Sequence, residues 1–320
     1  MKRKKPNVEH IHVDVNIVRF EQTLMQADGR TYRSVIDSLK YQHPDFYNLF
    51  VHNILAMPEN DPGYNIYDTL YKYMITDSYM NRLYDSVQNL YADMRDVESE
   101  IETAFTYYTY YFPSDTLPQV YTYIAPFVYQ VAINDHALGI ELNMYMGKNF
   151  AYYSSFAATL PQYLLYNFER RNIVVNIMRM LADGKIPAAG PEGTLLDDMI
   201  TEGKMLYYLD LVLPDMADSV KIGFTQQQMD WCVQNEVEVW KFFAGEDLLF
   251  SKSLQDKQKY LGDASSTYHM PEESPGRVAV WVGWQIIREY MQKQKEITLQ
   301  QLFAETDGLK ILKESDYDPE

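Results

Sequence analysis

The chain has 320 residues, 47% of them hydrophobic, which is enough to bury one large core or two modest ones. Its 28 basic and 45 acidic residues give a formal charge of −17, which argues against a nucleic-acid phosphate backbone as partner. Lys2, Arg3, Lys4 and Lys5 leave 24 basic residues for the rest of the chain, whose charge is −21. We therefore predict a weakly held basic N-terminal tether, residues 1–7, on an acidic body that avoids anionic membrane surfaces.

Neither the cysteine content nor the hydropathy of the sequence identifies the cellular compartment of the protein. Cys232 is the only cysteine, so neither an intramolecular disulfide nor a thiolate metal cluster is possible. No apolar run approaches the roughly 20 residues that span a bilayer. No signal peptide follows the basic start, although a sequence whose targeting segment had been removed would look the same.

The first structured segment is predicted to be a strand. Ile11, Val13, Val15 and Ile17 alternate with polar residues, which is the period of a strand with one buried face. His10 and His12 share the polar face. Their spacing permits a bidentate metal clip, but a solvated strand face explains it more simply.

Residues 32–111 are predicted to be helical, because their apolar residues recur at helical spacing. Fifteen of the 28 tyrosines lie between Tyr64 and Tyr145. One interpretation is an aromatic surface for a glycan or a peptide. The other is that tyrosine fills helix interfaces while its hydroxyl reaches water or a partner, and the position of these residues on apolar stripes favours it.

A small antiparallel sheet is predicted after the break at residues 112–115. Its three strands are short, rich in valine, isoleucine and tyrosine, and separated by turn residues: Gln119–Ile124, Val128–Ile133 and Leu138–Met146. Gly139 and Gly147 are expected to mark its ends. Helices follow to the C-terminus, with capping boxes predicted at Thr225 and Thr298. Since no linker or repeat interrupts this order, we predict a single α+β, helix-rich domain over residues 8–320.

The chain resembles the GldB family of gliding-motility lipoproteins of Bacteroidetes-type bacteria over essentially its whole length. The segments that carry the resemblance are residues 4–8, 15–20, 138–147, 222–225, 231–232, 235–236, 273–277 and 281–286. The resemblance implies an envelope protein, lipid-anchored and facing the periplasm, that supports gliding or the associated protein-secretion machinery. It also implies a removed signal segment with a lipidated cysteine just before Lys2.

The family is in turn distantly similar to HExxH zinc peptidases, which implies a degenerate zincin-like, or gluzincin-like, fold. Spacing places Val175, Asn176 and Arg179 where such enzymes have histidine, glutamate and histidine, and Glu202 in the slot of the third ligand. Valine has no lone pair for zinc, an asparagine amide cannot act as the general base, and arginine repels the ion. We therefore expect no metal, no cofactor and no zinc hydrolysis.

These vestigial positions generate structural predictions. Residues 173–181 should form a helix packed near a second helix that begins around Glu202. Arg179 and Glu202 then either form an ion pair that replaces the lost metal, or Arg179 is solvated and Glu202 merely occupies the first turn of its helix.

Glu236 is the other unusual acid, because it falls inside the apolar face of a predicted helix. A buried carboxylate must be paired or neutral, and an ion pair with Arg277 or Arg288 is expected before a catalytic role. Trp281, Gly283 and Trp284 are expected to pack one helix against another.

The sequence thus favours a pseudo-peptidase, that is, a non-enzymatic envelope lipoprotein with protein partners in the gliding or secretion apparatus. Two alternatives stay open: an active peptidase or other hydrolase with an unrecognised site, and a glycan- or peptidoglycan-binding module.

Overall fold

The computed structural model describes residues 5–58, 61, 63–156, 161, 163–245 and 247–320. The chain forms two compact units. The N-terminal unit comprises residues 9–158 and 167–180, and the C-terminal unit comprises residues 1–8, 159–166 and 181–320. The single domain expected for residues 8–320 stays a prediction, because compactness alone does not show whether the units fold independently.

The N-terminal unit is mainly helical, as expected for residues 32–111. Its helices are α1 (Phe20–Met25), α2 (Tyr32–Gln42), α3 (Pro44–Asn48), α4 (Ile66–Leu70), α5 (Ser78–Leu90), α6 (Arg95–Tyr111) and α7 (Ile173–Ala182), the last ending in the other unit. Two π-helical segments, Leu49–Ile54 and Tyr71–Ile75, continue α3 and α4. Phe20, Phe46 and Phe50 are buried in its core with their rings in contact.

A four-stranded open sheet lies in the same unit. Its strands are β1 (Val18–Arg19), β2 (Gln119–Tyr123), β3 (Val131–Ile133) and β4 (Ala137–Glu141), in the order β1-β2-β4-β3. The predicted antiparallel sheet is wrong in this respect: only β3 and β4 are antiparallel, while β2 is parallel to both β1 and β4. The tight turn before β4 makes a hairpin with β3, and the other edge of β4 is then filled by the more distant β2.

Gly139 lies inside β4 and does not mark an end of the sheet as expected. A Cβ at this position would lie 2.6 Å from the Phe46 ring and 2.9 Å from the Tyr123 ring. The glycine is therefore explained by the close approach of two aromatic side chains.

The strand predicted over residues 11–17 is wrong, because this segment is not part of the sheet. Its burial alternates as the pattern indicated, but two of its backbone N–H groups donate to side chains of α6. The N–H of Val15 donates to Glu102 at 3.3 Å, and the N–H of Ile17 donates to Glu98 at 3.1 Å. Pairing with a neighbouring strand begins only at β1.

The C-terminal unit is also built of helices. They are α8 (Leu195–Val212), α9 (Asp218–Ile222), α10 (Gln226–Gln234), α11 (Glu236–Gly245), α12 (Leu254–Leu261), α13 (Val278–Lys293), α14 (Leu299–Ala304) and α15 (Gly308–Ser315). The capping boxes predicted at Thr225 and Thr298 are confirmed. The helix-rich α+β class is confirmed as well.

Helices α8 and α13 pack closely through two glycines, which confirms the packing expected around Gly283. A Cβ on Gly283 would lie 1.9 Å from the carbonyl oxygen of Met199, and one on Gly203 would lie 2.3 Å from the carbonyl oxygen of Gly283. Trp281 and Trp284 are buried on the same helix. Any larger residue at either glycine would force the two helices apart.

The basic tether is described only in part, since residues 1–4 lie outside the described residues. Lys5 Nζ lies 2.5 Å from Asp215 Oδ1, and both side chains are largely exposed. Such a pair stabilises by at most about 1 kcal/mol. Among the described residues, no helix has the length and hydropathy needed to cross a membrane.

Candidate functional site

The first vestigial slot, which holds Val175, Asn176 and Arg179, lies on a helix, as predicted for residues 173–181. Val175 is buried within α7 and Asn176 is half-buried. The Asn176 side-chain amide donates to the Tyr145 hydroxyl at 3.0 Å, and Tyr145 itself is fully buried. The residue aligned with a catalytic glutamate therefore supports a buried tyrosine.

The second slot differs from the prediction. Helix α8 begins at Leu195, because Thr194 and Asp197 form a capping box, so Glu202 lies in the middle of the helix. Neither the expected helix start near Glu202 nor its place in a first turn is correct. Its carboxylate lies 3.7 Å from the Arg277 guanidinium, which is also 3.6 Å from Asp263. Arg179 is half-buried and belongs to the other unit, so the Arg179–Glu202 pair stays a prediction.

Glu236 is half-buried at the start of α11. The arginine pairing expected for it is wrong: its carboxylate accepts a hydrogen bond of 2.8 Å from the Tyr317 hydroxyl. Burial raises the pKa of that tyrosine well above its usual range, and the nearby Glu236 charge adds to the effect. The partner lies on the C-terminal segment, far along the sequence, which helical periodicity alone does not reveal.

Arg288 is held by other acids, in a network that the sequence reasoning missed. Its guanidinium makes two 2.8 Å bonds to Asp210 and one to Asp218. Buried Lys221 contacts both carboxylates, at 2.8 and 3.3 Å. The Trp284 indole N–H donates to Asp210 at 3.0 Å, and the Arg288 guanidinium lies 3.7 Å from the Trp284 ring centroid. Two cations neutralise two anions here, which indicates a structural role linking α8, α9 and α13.

Lys204 is a buried amine in the middle of α8. It is 2% exposed, and its Nζ donates to the backbone carbonyl of Glu305. Burial lowers the pKa of Lys204 to about 8, while the Glu305 and Asp197 charges oppose this shift. An amine with such a pKa can act as a base near neutral pH, but Lys204 is buried and a substrate cannot reach it in this conformation.

A buried carboxylate in the N-terminal unit forms the most complete polar site. Glu141 ends β4 and is fully buried. One oxygen accepts the N–H of Phe127 at 2.8 Å, and the other accepts those of Val128 and Tyr129 at 3.0 Å each. The Asn143 side-chain amide supplies a fourth bond at 2.8 Å. Burial raises the pKa of Glu141 to about 7, although all four bonds act to lower it.

The same site fixes both ends of the loop between β2 and β3. Asn143 accepts the N–H of Ala125 at 3.2 Å and donates to its carbonyl at 3.0 Å. The Tyr123 hydroxyl donates to the carbonyl of Tyr129 at 3.0 Å. Phe127 has a φ of +59°, a strained value for this residue that the three bonds to Glu141 hold in place. We call Glu141, Asn143 and Tyr123 the loop clasp.

A sequence signal for the clasp existed, because Glu141 interrupts an otherwise uncharged segment, residues 137–147. The same signal, an acidic residue within an apolar segment, marks Glu236. Only the structure shows that the partners of Glu141 are backbone groups 12 to 14 residues earlier in the chain.

The tyrosine-rich region mainly supports the packing interpretation. Tyr91, Tyr108, Tyr121, Tyr123 and Tyr145 are all buried. Others in the unit are exposed, namely Tyr41, Tyr73, Tyr110 and Tyr129. The described residues contain no group of three or more histidine, cysteine, aspartate or glutamate side chains placed to hold a metal ion.

Comparison with known proteins identifies the family. The model of the family described as gliding motility protein GldB matches residues 1–319, so the chain belongs to this lipoprotein family. No curated protein and no solved structure matches the chain. The further likeness to zinc peptidases receives no support from these comparisons.

Proposed function

We propose that this member of the gliding motility family is a lipid-anchored envelope protein that acts through contacts with motility or secretion components and not through catalysis. Family membership supports the role in gliding. The observation that carries the non-enzymatic part is the loop clasp. A carboxylate with a pKa of about 7 is what general acid–base chemistry requires, but Glu141 is fully buried and bonded to four protein donors.

The vestigial slots support the same proposal. The Asn176 amide is bonded to Tyr145, and Glu202 faces Arg277. Each side chain thus has a structural partner in its own unit. On this proposal, a zincin-like ancestry would be retained only in the arrangement of the helices and not in any zinc chemistry.

The experiment is complementation of a strain that lacks the gene, using the full-length lipoprotein. The variant combines Asn176→Asp, Arg179→Gln and Glu202→Gln, which changes the chemistry at all three positions; the first and the last substitution keep the size of the side chain. We expect gliding speed to stay within about twofold of wild type, because surface and half-buried polar changes cost little stability.

A second variant gives the contrast. On this proposal, replacing the cysteine that carries the lipid anchor should release the protein from the envelope and abolish gliding. Loss of gliding in the triple variant, at normal protein level and unchanged thermal unfolding, would show that the slots perform chemistry and would overturn the non-enzymatic proposal.

A further inference from the structure

Two long stretches of this chain carry no charge. Charged residues make up 23% of the sequence, yet residues 116–134 and 149–168 contain none. Parts of both stretches meet in the N-terminal unit. The Tyr153 ring lies 5.8 Å from the Phe127 ring and 5.3 Å from the Phe150 ring, centroid to centroid. Uncharged segments are therefore brought together in a chain whose net charge is −17.

The loop held by the clasp is partly exposed to solvent beside these segments. We call residues Pro126–Tyr129 the apolar tip. Val128 is 41% exposed and Tyr129 is 50% exposed, while Pro126 is exposed and Phe127 is half-buried. Half-buried Phe150 and Tyr152 stack beside them at 5.0 Å. Apart from the Tyr129 hydroxyl, the tip offers no polar side chain.

The backbone of the tip also offers no N–H group to a partner. Pro126 has none, and the N–H groups of Phe127, Val128 and Tyr129 all donate inward to Glu141. An extended peptide that binds by adding a strand needs such donors, so this mode of recognition is disfavoured. Conversely, the tip can leave water without losing backbone N–H hydrogen bonds, which meets one part of the condition that a lipid environment imposes on backbone polar groups.

We propose that the apolar tip inserts into the interfacial region of a zwitterionic lipid bilayer. The proposal rests on the proposed function, in which a lipid anchor holds the body near a membrane. Aromatic side chains favour that interfacial depth, and the uncharged tip meets no electrostatic barrier there. The tip would supply a membrane contact in addition to the lipid anchor. The acidic body, by contrast, is repelled by anionic lipid.

Vesicle binding tests the proposal. The 320-residue chain is sedimented with phosphatidylcholine vesicles, and wild type is compared with a Val128→Asp/Tyr129→Asp variant. The expected loss is about tenfold in apparent affinity, because desolvating the exposed parts of these two side chains contributes roughly the 1.4 kcal/mol that equals one factor of ten. Adding phosphatidylglycerol should weaken binding of wild type.

The matched control is Val233→Asp/Leu254→Asp, which adds the same charge at two apolar residues that are 60% and 80% exposed in the other unit. This control should bind like wild type. The midpoint temperature of thermal unfolding should stay within a few degrees of wild type for both variants, since the changes are on the surface.

Three results would overturn the proposal. These are a wild type that does not bind phosphatidylcholine, a tip variant that binds equally well, and a control that loses as much as the tip variant. If wild type ignores vesicles but the tip variant stops gliding, the tip docks on a protein instead. None of these results touches the proposed function, whose failure is seen only as loss of gliding in the slot variant.

Discussion

The pH dependence of stability should reveal the loop clasp directly. Burial raises the pKa of Glu141 from the ordinary 4.5 to about 7, so the folded protein binds this proton more tightly than the unfolded chain does. The stabilising contribution is fully present below pH 4.5 and is lost as the pH rises through about 7. At 1.36 kcal/mol per pH unit, the loss amounts to about 3 kcal/mol.

Glu141→Gln removes this titration while keeping one acceptor oxygen. At pH 4.5 the variant should be less stable by about 1–3 kcal/mol, because one glutamine nitrogen now faces backbone N–H donors. At pH 8 the wild type has lost about 3 kcal/mol of stability from this group, so the unfolding free energy of the variant should equal or exceed that of the wild type. Tyr123, Tyr145 and Tyr153 sense the Glu141 charge, but burial holds their pKa values far above this range.

The assay is urea unfolding of both proteins from pH 4.5 to pH 8. The difference between their unfolding free energies is the relevant quantity, since other titrating groups cancel in it. Glu238→Gln is the control, because that side chain is 75% exposed and its removal should leave the wild-type pH profile. Parallel profiles for wild type and Glu141→Gln would refute the argument that burial dominates at this carboxylate.

Three further predictions concern the C-terminal unit. Arg288→Ala should cost about 3–5 kcal/mol in urea unfolding, because Asp210 and Asp218 would then share one cation, Lys221, in place of two. Lys241→Ala, which removes an exposed pair, should cost under about 1 kcal/mol. Gly283→Ala should lower the free energy of unfolding by at least about 3 kcal/mol or prevent folding. Gly245→Ala, where the added Cβ meets open space, should change it by no more than about 1 kcal/mol. Equal effects of the two substitutions would contradict the close contact between α8 and α13. Lys204→Met should abolish a rise in wild-type stability above pH 8. The lowered pKa of Lys204 means that the unfolded chain binds this proton more tightly than the folded protein does, so stability increases as the proton is lost. If the unfolding free energy of the variant rises in the same way, another group is responsible for the rise.

Local patterns in the sequence were sufficient for most of the helices. Helix α7 follows from a run of apolar residues at helical spacing, and the caps at Thr225 and Thr298 follow from side chains that bond to backbone three residues away. The start of α8 is also encoded locally, by the capping box of Thr194 and Asp197, which has aspartate where the usual pattern has glutamate or glutamine. These features depend on neighbours within a turn or two, which the sequence shows directly.

Tertiary structure decided the contacts between distant residues. The pairing of β2 with β4, the carboxylates of α6 beneath residues 15–17, and the tyrosine that meets Glu236 all join residues far apart in the chain. The role of Glu141 depends on the same kind of information, since its charge is visible in the sequence but its burial and its backbone partners are not. Periodicity reports which face of an element is apolar, whereas the identity of the partner is set by how the elements pack.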